Sequence, residues 1–166
     1  MLQIRNAVEN DIVAIQTIAK ATWLKTYMQI LSSEQMSYML NWMYSFEILK
    51  NQMQNNHAFF VGYLSQKQHE ILGFAAISRE AEKLFKLQKL YILPEQQKIG
   101  LGKLLLQKVC NHAKENGANT LQLQVNRNNI AVNFYKKHGF KIIAEEDFDI
   151  GNGYFMNDYV MELQFF

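Results

Sequence analysis

One proline and one cysteine stand among the 166 residues, and neither sign of charge dominates. With a single thiol, Cys110, the chain can build no intrachain disulfide and no cysteine-based metal site. Cys110 falls inside an apolar helical stretch, which reads as a half-buried thiol in a reducing compartment. No apolar run approaches the ~18 residues a membrane helix needs. The start, Met1-Leu2-Gln3-Ile4-Arg5, lacks the long apolar region of a secretion signal. A soluble, cytoplasmic protein with no membrane partner is therefore expected. Net charge is only +2, and the basic residues are dispersed without a basic arm, so nucleic acid is a poor partner. The pairs Lys136-Lys137 and Lys86/Lys89 read as solvated surface. No linker or repeat interrupts the chain, which points to one domain over residues 1–166.

What is present is ample apolar material, 49% of residues against 19% charged, enough to offset the entropy of ordering one core. Leu2 to Asn6 reads as a short strand. Glu9 or Asn10 opens a helix through Ile12, Ile15, Ile18 and Ala19, spaced for one buried face. Ser32 and Ser33 are caps for a second helix through Met36, Met39, Leu40 and Met43, continuing to about Gln54. Ala58–Leu64 and Ile71–Ser78 alternate as strands around the polar turn Ser65–Glu70, and Leu84–Leu93 is a third strand stopped by Pro94. Gly100–Asn116 is helical and ends at Gly117. Thr120–Val125 is a strand and Asn129–His138 a short helix closed by Gly139. Phe140–Ile150 and Tyr154–Leu163 form a hairpin about Gly151-Asn152-Gly153. A strand–helix–strand–helix unit after an antiparallel meander predicts a mixed α/β sheet.

The segment Gln97-Lys98-Ile99-Gly100-Leu101-Gly102, followed by Lys103, joins a strand to a helix start. Free amides and the positive end of a helix dipole converge there, and glycine at alternate positions admits an anion close to the backbone. A phosphate fits, and so does an ordinary helix start. Leu104 after Gly102-Lys103 supplies no hydroxyl for a nucleotide-bound Mg²⁺, and the third glycine of a dinucleotide fingerprint is missing.

That loop, together with Leu90-Tyr91-Ile92-Leu93-Pro94-Glu95 before it and Asn128 to Phe140 after it, resembles the GNAT superfamily of N-acetyltransferases. Gln97, Gly100 and Gly102 match the family's pyrophosphate loop. Asn128, Ala131, the Phe134-Tyr135 pair and Gly139-Phe140 match its strand–turn–helix segment. The resemblance implies a mixed, mostly antiparallel sheet with helices on both faces and a splayed parallel strand pair at the cofactor site. It implies acetyl-CoA as cofactor, held by Leu90, Tyr91, Ile92, Gln97, Lys98, Ile99, Gly100, Leu101, Gly102, Lys103, Asn128, Ala131 and Tyr135. Backbone groups of Leu90 and Ile92 would bind the acetyl and pantetheine arm and supply an oxyanion donor. Tyr135 would donate a proton to the departing thiolate during direct attack by an amine. The rival readings are local: Asn128 or Asn129 as a helix cap, and Tyr135 as a core phenol bonded to a backbone carbonyl.

Two departures from the family pattern stand out. The position after Gln97 is usually glycine, and Lys98 there either adds charge toward the phosphates or strains a turn with positive φ. The strand glutamate that often serves as base is replaced by Lys86, with Gln88 nearby equally unable to take a proton. Base function passes to water or to an acid elsewhere, among them Glu34, Asp149 and Asp158. His57 is a further candidate, read as structural at its strand start.

Trp23 and Tyr27, in the segment expected to join the first two helices, are candidates for the acceptor wall together with Glu34 and Asp149; core packing is the competing role for Trp23. Glu145, Glu146, Asp147, Asp149 and Asp158 read as either a cation-attracting rim or a solvated edge. The ending Asp149 to Met161, with Thr26-Tyr27 and Leu90–Pro94, is similar to bacterial polyamine acetyltransferases of the PaiA type. The resemblance therefore implies a small-molecule amine acceptor such as spermidine. Protein N-terminal or lysine acetylation, or acyl-CoA binding without catalysis, are the alternatives. The aromatic tail Leu163-Gln164-Phe165-Phe166 suits either a homodimer contact or packing on its own core.

Overall fold

The computed structural model describes residues 1–165. Seven strands form one sheet in the order β1-β2-β3-β4-β5-β7-β6: β1 (Leu2–Asn6), β2 (His57–Leu64), β3 (Lys67–Arg79), β4 (Leu84–Ile92), β5 (Thr120–Asn126), β6 (Lys141–Gly151) and β7 (Tyr154–Gln164). Every neighbouring pair is antiparallel except β4 and β5. Helices α1 (Ile12–Tyr27), α2 (Ser33–Tyr44) and α3 (Phe46–Gln54) cover one face, packing Ile15, Trp23, Met39 and Leu49 onto Val61, Phe74 and Ala76. Helices α4 (Leu101–Glu115) and α5 (Ala131–Lys137) cover the other, where Leu105, Val109 and Tyr135 meet Ala75, Leu87, Leu121 and Met161. The mixed, mostly antiparallel sheet with helices on both faces is the one expected.

Several boundaries differ, each for a local reason. The single helix expected to run to Gln54 breaks at Ser45, which takes an extended backbone (φ −63°, ψ 152°) and accepts from the Ile48 amide, capping α3. Residues 21–27 do not link two helices; they are the last turns of α1, so Trp23 and Tyr27 project from a rigid element. Strand β3 begins at Lys67 rather than Ile71, so the polar residues 67–70 form hairpin rather than turn. Arg5 of β1 forks onto Asp11 at 2.7 and 2.9 Å, fastening the entry of α1 to the sheet edge. At the far end Leu163 and Phe165 pack on the α4 side of the core, and Lys114 sits 5.0 Å above the Phe165 ring, so the tail covers its own domain. Phe166 lies outside the described residues.

The correction with most bearing on function is in β4. Ala76 pairs with Lys89 and Ile77 with Leu87, which leaves Gln88 as an extra, bulged residue. Alternation therefore reverses: Phe85 and Leu87 before the bulge, and Leu90 and Ile92 after it, all face α4. Lys89 and Tyr91 are turned toward α1–α3. Lys89, read from sequence as solvated surface, is only 5% exposed. Its ammonium donates to Gln52 Oε1 at 3.1 Å and lies over the Tyr44 and Phe59 rings. Burial, with the Lys86 charge adding to it, lowers the Lys89 pKa to about 8.

Candidate active site

The turn between β4 and α4 has the form of an anion nest. Lys98 has φ 70° and Gly100 φ 91°, two left-handed residues separated by one, before α4 begins at Leu101. Gln96 donates to Leu93, and the next amide with a protein acceptor among the described residues is Leu104, which bonds the Gly100 carbonyl. Every amide from Gln97 to Lys103 is thus free for an external acceptor. The first turn of α4 carries no acidic residue, and the exposed Lys98 and Lys103 flank it. The start of α4 thus offers an anion both amide donors and positive potential.

Two strand glycines hold this turn against the sheet. A Cβ on Gly62 of β2 would come within 2.4 Å of Leu101 Cδ1, and one on Gly73 of β3 within 2.6 Å of Ile92 and 2.9 Å of the Tyr91 carbonyl. The first residue of α4 is therefore seated directly over two side-chain-free positions. Sequence reading passed over both, although glycine inside a strand is a known sign of close approach.

Lys98 has both of the properties weighed for it, an exposed charge and a positive φ. A non-glycine residue in that region costs roughly 1–2 kcal/mol, partly offset by lysine's lower unfolded-state entropy relative to glycine. Lys98→Gly is expected to stabilise the protein by about 0.5–1 kcal/mol in urea denaturation. It should also weaken acetyl-CoA binding a few-fold at low salt. A variant no more stable than the parent would show that the turn carries no strain.

Behind the turn, β4 and β5 pair in parallel from Leu84↔Thr120 to Leu87↔Leu123 and no further. Beyond that, β4 stays bonded to β3 as far as Ile92, and β5 stays bonded to β7 as far as Asn126. The facing edges of Gln88–Ile92 and Gln124–Asn126 are left without each other, the splay expected for a pantetheine arm. Thr22 of α1 reaches the Ile92 carbonyl at 3.4 Å from the side opposite α4.

Past β5 the chain turns through an asparagine network. The Asn126 side chain accepts from the Asn128 amide, and the Asn129 side chain accepts from Ala131, the first residue of α5, while the exposed Asn128 side chain has no partner among the described residues. Asn129 Nδ2 also donates to the Tyr27 hydroxyl at 3.1 Å, tying α5 to α1 across the mouth of the gap. Tyr135, on α5, is 8% exposed with its ring against Phe134 and Phe140. Its hydroxyl donates to no protein acceptor among the described residues, so the core-phenol alternative lacks its carbonyl. Burial and the neighbouring Tyr27 hold the Tyr135 pKa well above its ordinary value.

On the α1 side of the gap lie Tyr27, Tyr44 and Tyr91, with the Trp23 ring tilted at 50° to Tyr27 and 4.8 Å from it. Trp23 is 1% exposed and belongs to the core, although its Nε1 has no acceptor among the described residues. Two of the expected acceptor contacts are not brought here. Glu34 is exposed on the first turn of α2. Asp149 is exposed, faces Phe155 in register, and accepts from the Gly151 amide of its own turn. Among the other hairpin acids, Glu145 and Asp147 are paired to Arg127 at 3.3 and 2.6 Å. Asp158 is different: it is 5% exposed, with Oδ1 unpartnered among the described residues. The α2 helix closes this side by binding the hairpin through Tyr38 to the Ile150 carbonyl and Gln35 to the Phe155 carbonyl.

Comparison with known proteins agrees with this geometry. Residues 27–163 match the acetyltransferase (GNAT) domain. The spermidine N(1)-acetyltransferase of Thermoplasma acidophilum is 29% identical over 99% of this chain and 98% of its own length. The [ribosomal protein bS18]-alanine N-acetyltransferase of Haemophilus influenzae is 36% identical over 64% of this chain and 69% of its own. The crystal structure of PaiA N-acetyltransferase from Thermoplasma acidophilum in complex with coenzyme A superposes with a TM-score of 0.84 at 27% identity, covering 99% of each chain. No helix among the described residues is long and apolar enough to cross a membrane. With free amides at the start of α4, a splayed strand pair and that family match over most of its length, the chain belongs to the GNAT acetyltransferases and uses acetyl-CoA.

Proposed function

We propose that this enzyme acetylates a small primary amine by direct attack, with a polyamine such as spermidine as acceptor. Acetyl-CoA supplies an activated thioester; the rest is done by side chains and amides of the chain. The free amides of residues 97–103 hold the diphosphate, and the exposed β4 edge from Leu90 to Ile92 aligns the arm that follows. The Tyr135 hydroxyl, protonated at any working pH, gives its proton at the departing sulfur.

The observation that carries the acceptor assignment is the carboxylate of Asp158 on the α1 side of the gap, buried and without an ion-pair partner among the described residues. A fixed anion in that position favours a cationic amine. The full-length similarity to a spermidine acetyltransferase supports the same class. The rival acceptor, a peptide N-terminus, draws on the shorter match to a bS18-alanine acetyltransferase.

Thiol release from acetyl-CoA, followed across spermidine, free amino acids and an alanine-starting peptide, separates them. Spermidine should exceed the peptide in kcat/KM by at least about tenfold, because both bring an attacking ammonium but only spermidine brings further cationic groups to an acidic site. Transfer to peptide N-termini with none to polyamines would replace the polyamine assignment with the peptide one.

A further inference from the structure

We infer that Asp158 is the proton acceptor for the attacking amine, standing in for the strand glutamate that Lys86 displaces. The assignment rests on the acetyltransferase reading above.

Asp158 sits on β7 directly opposite Asn126, the last residue of β5, where β4 and β5 have already parted. Its side of the sheet is fixed by alternation. Tyr159, Met161 and Leu163 pack toward α4 and α5, whereas Met156 and Asp158 turn to the α1 side. The charged and titratable groups that face it are Lys86 of β4, Tyr27 of α1, Arg127 just after β5, and Glu146 opposite it on β6. Both cations are otherwise engaged. Arg127 holds Glu145 and Asp147, and the Lys86 ammonium donates to Gln124 Oε1 at 2.6 Å. Neither forms an ion pair with Asp158 among the described residues.

An ionised carboxylate with one oxygen sealed from water and unpartnered opposes folding, and an asparagine or an apolar residue would fit with less penalty. Such a group persists when something outside the chain completes it, and a substrate ammonium has the matching charge. Burial pushes the Asp158 pKa up to about 6, against the pull of Lys86 and Arg127. It is therefore ionised, and a stronger base than an ordinary aspartate, at neutral pH. Burial is the main reason the Tyr27 pKa is raised, with Asp158 adding to it, so the Tyr27 hydroxyl lies within electrostatic reach of Asp158. His57 does not compete. It pairs in register with Ser78, which in turn pairs with Lys86, in a row where β4 and β5 are still joined.

The protons balance without a further reactant. The ammonium gives one proton to the Asp158 carboxylate, and the freed nitrogen forms the C–N bond as the C–S bond breaks. Sulfur takes the Tyr135 proton, and Tyr135 recovers one from the nitrogen. Neutral amide, free thiol and protonated Asp158 result, and Asp158 then releases its proton to solvent.

The test compares the parent with Asp158→Asn, an isosteric change that keeps the strand. With spermidine, kcat/KM should fall by about 10²–10³ at pH 7.5. The parent's acid limb near pH 6 should vanish, and acetyl-CoA affinity should hold. With methoxyamine, neutral at assay pH, the loss should be far smaller. The free protein gives a second readout. A carboxyl whose folded pKa lies above its unfolded one stabilises the fold at low pH and loses that contribution as pH rises through about 6. Asp158→Asn should therefore melt higher than the parent at pH 7.5 and no higher at pH 4.5, and spermidine should raise the Tm of the parent alone. Equal turnover with spermidine, or an acid limb kept by the variant, overturns the assignment while acetyl transfer stands. A parent that releases no thiol with any amine overturns the function itself.

Discussion

Tyr135→Phe should bind acetyl-CoA within about twofold of the parent and turn over roughly 10²-fold more slowly, the usual scale for loss of a positioned acid. The change is unusually clean because the ring and the hydroxyl have separate duties. Phe134 and Phe140 hold the ring at centroid distances of 5.4 and 5.6 Å, and a phenylalanine keeps both contacts. The hydroxyl has no partner to lose among the described residues, so unfolding free energy should move by less than about 0.5 kcal/mol. A pH profile adds a constraint. Burial disfavours the phenolate, so the tyrosine stays protonated through alkaline pH, and no falling limb between pH 7 and 9 should belong to it. Steady-state kinetics with isothermal titration of acetyl-CoA checks both halves. A variant with undiminished kcat would show that the thiolate leaves without this proton.

The cofactor half of the site was legible because its chemistry is local in sequence. Gly100 and Gly102 between a strand and a helix predict free amides at a helix start, and the turn has them. Asn128 and Tyr135 belong to one strand–turn–helix segment and keep their relative places whatever the rest of the chain does. The proposed acceptor half draws on β4, β7, α1 and the β5–α5 turn, and pattern reading fails there for identifiable reasons. Alternation along β4 says that Lys89 continues the face of Phe85 and Leu87, and one bulged residue, Gln88, cancels that. Asp158 looks like one of several hairpin acids, yet Glu145 and Asp147 have Arg127 and Asp149 has its own turn, so its isolation exists only after the strands pair. Helical periodicity carries through Ser45 unbroken, and only its cap geometry shows that two helices meet there. The strand glycines 62 and 73 were visible, but not the residue that fills the space they leave, Leu101, which is 39 and 28 positions away in sequence.

Gly100→Asp should abolish useful cofactor binding while leaving the fold intact, and the two halves of that outcome have one cause. Position 100 precedes α4 and has φ 91°, and a Cβ there meets nothing within 4 Å. Aspartate is among the few side chains that tolerate the left-handed region, at a cost of about 1–2 kcal/mol. A carboxylate beside a helix N-terminus returns roughly 0.3–1 kcal/mol of that through the helix dipole. Net stability should fall by less than about 1.5 kcal/mol by these figures, readable as a small shift in a urea titration. The same carboxylate then occupies the potential meant for the diphosphate. One added negative charge about 4 Å from a phosphate costs roughly 4 kcal/mol at the effective dielectric of a protein surface. That corresponds to a Kd for acetyl-CoA raised by about 10²–10³. Gly100→Asn, of nearly the same shape but uncharged, should lose far less, which separates repulsion from steric obstruction. Equal losses in the two variants would mean that the backbone conformation of this turn, rather than its electrostatic potential, governs cofactor binding.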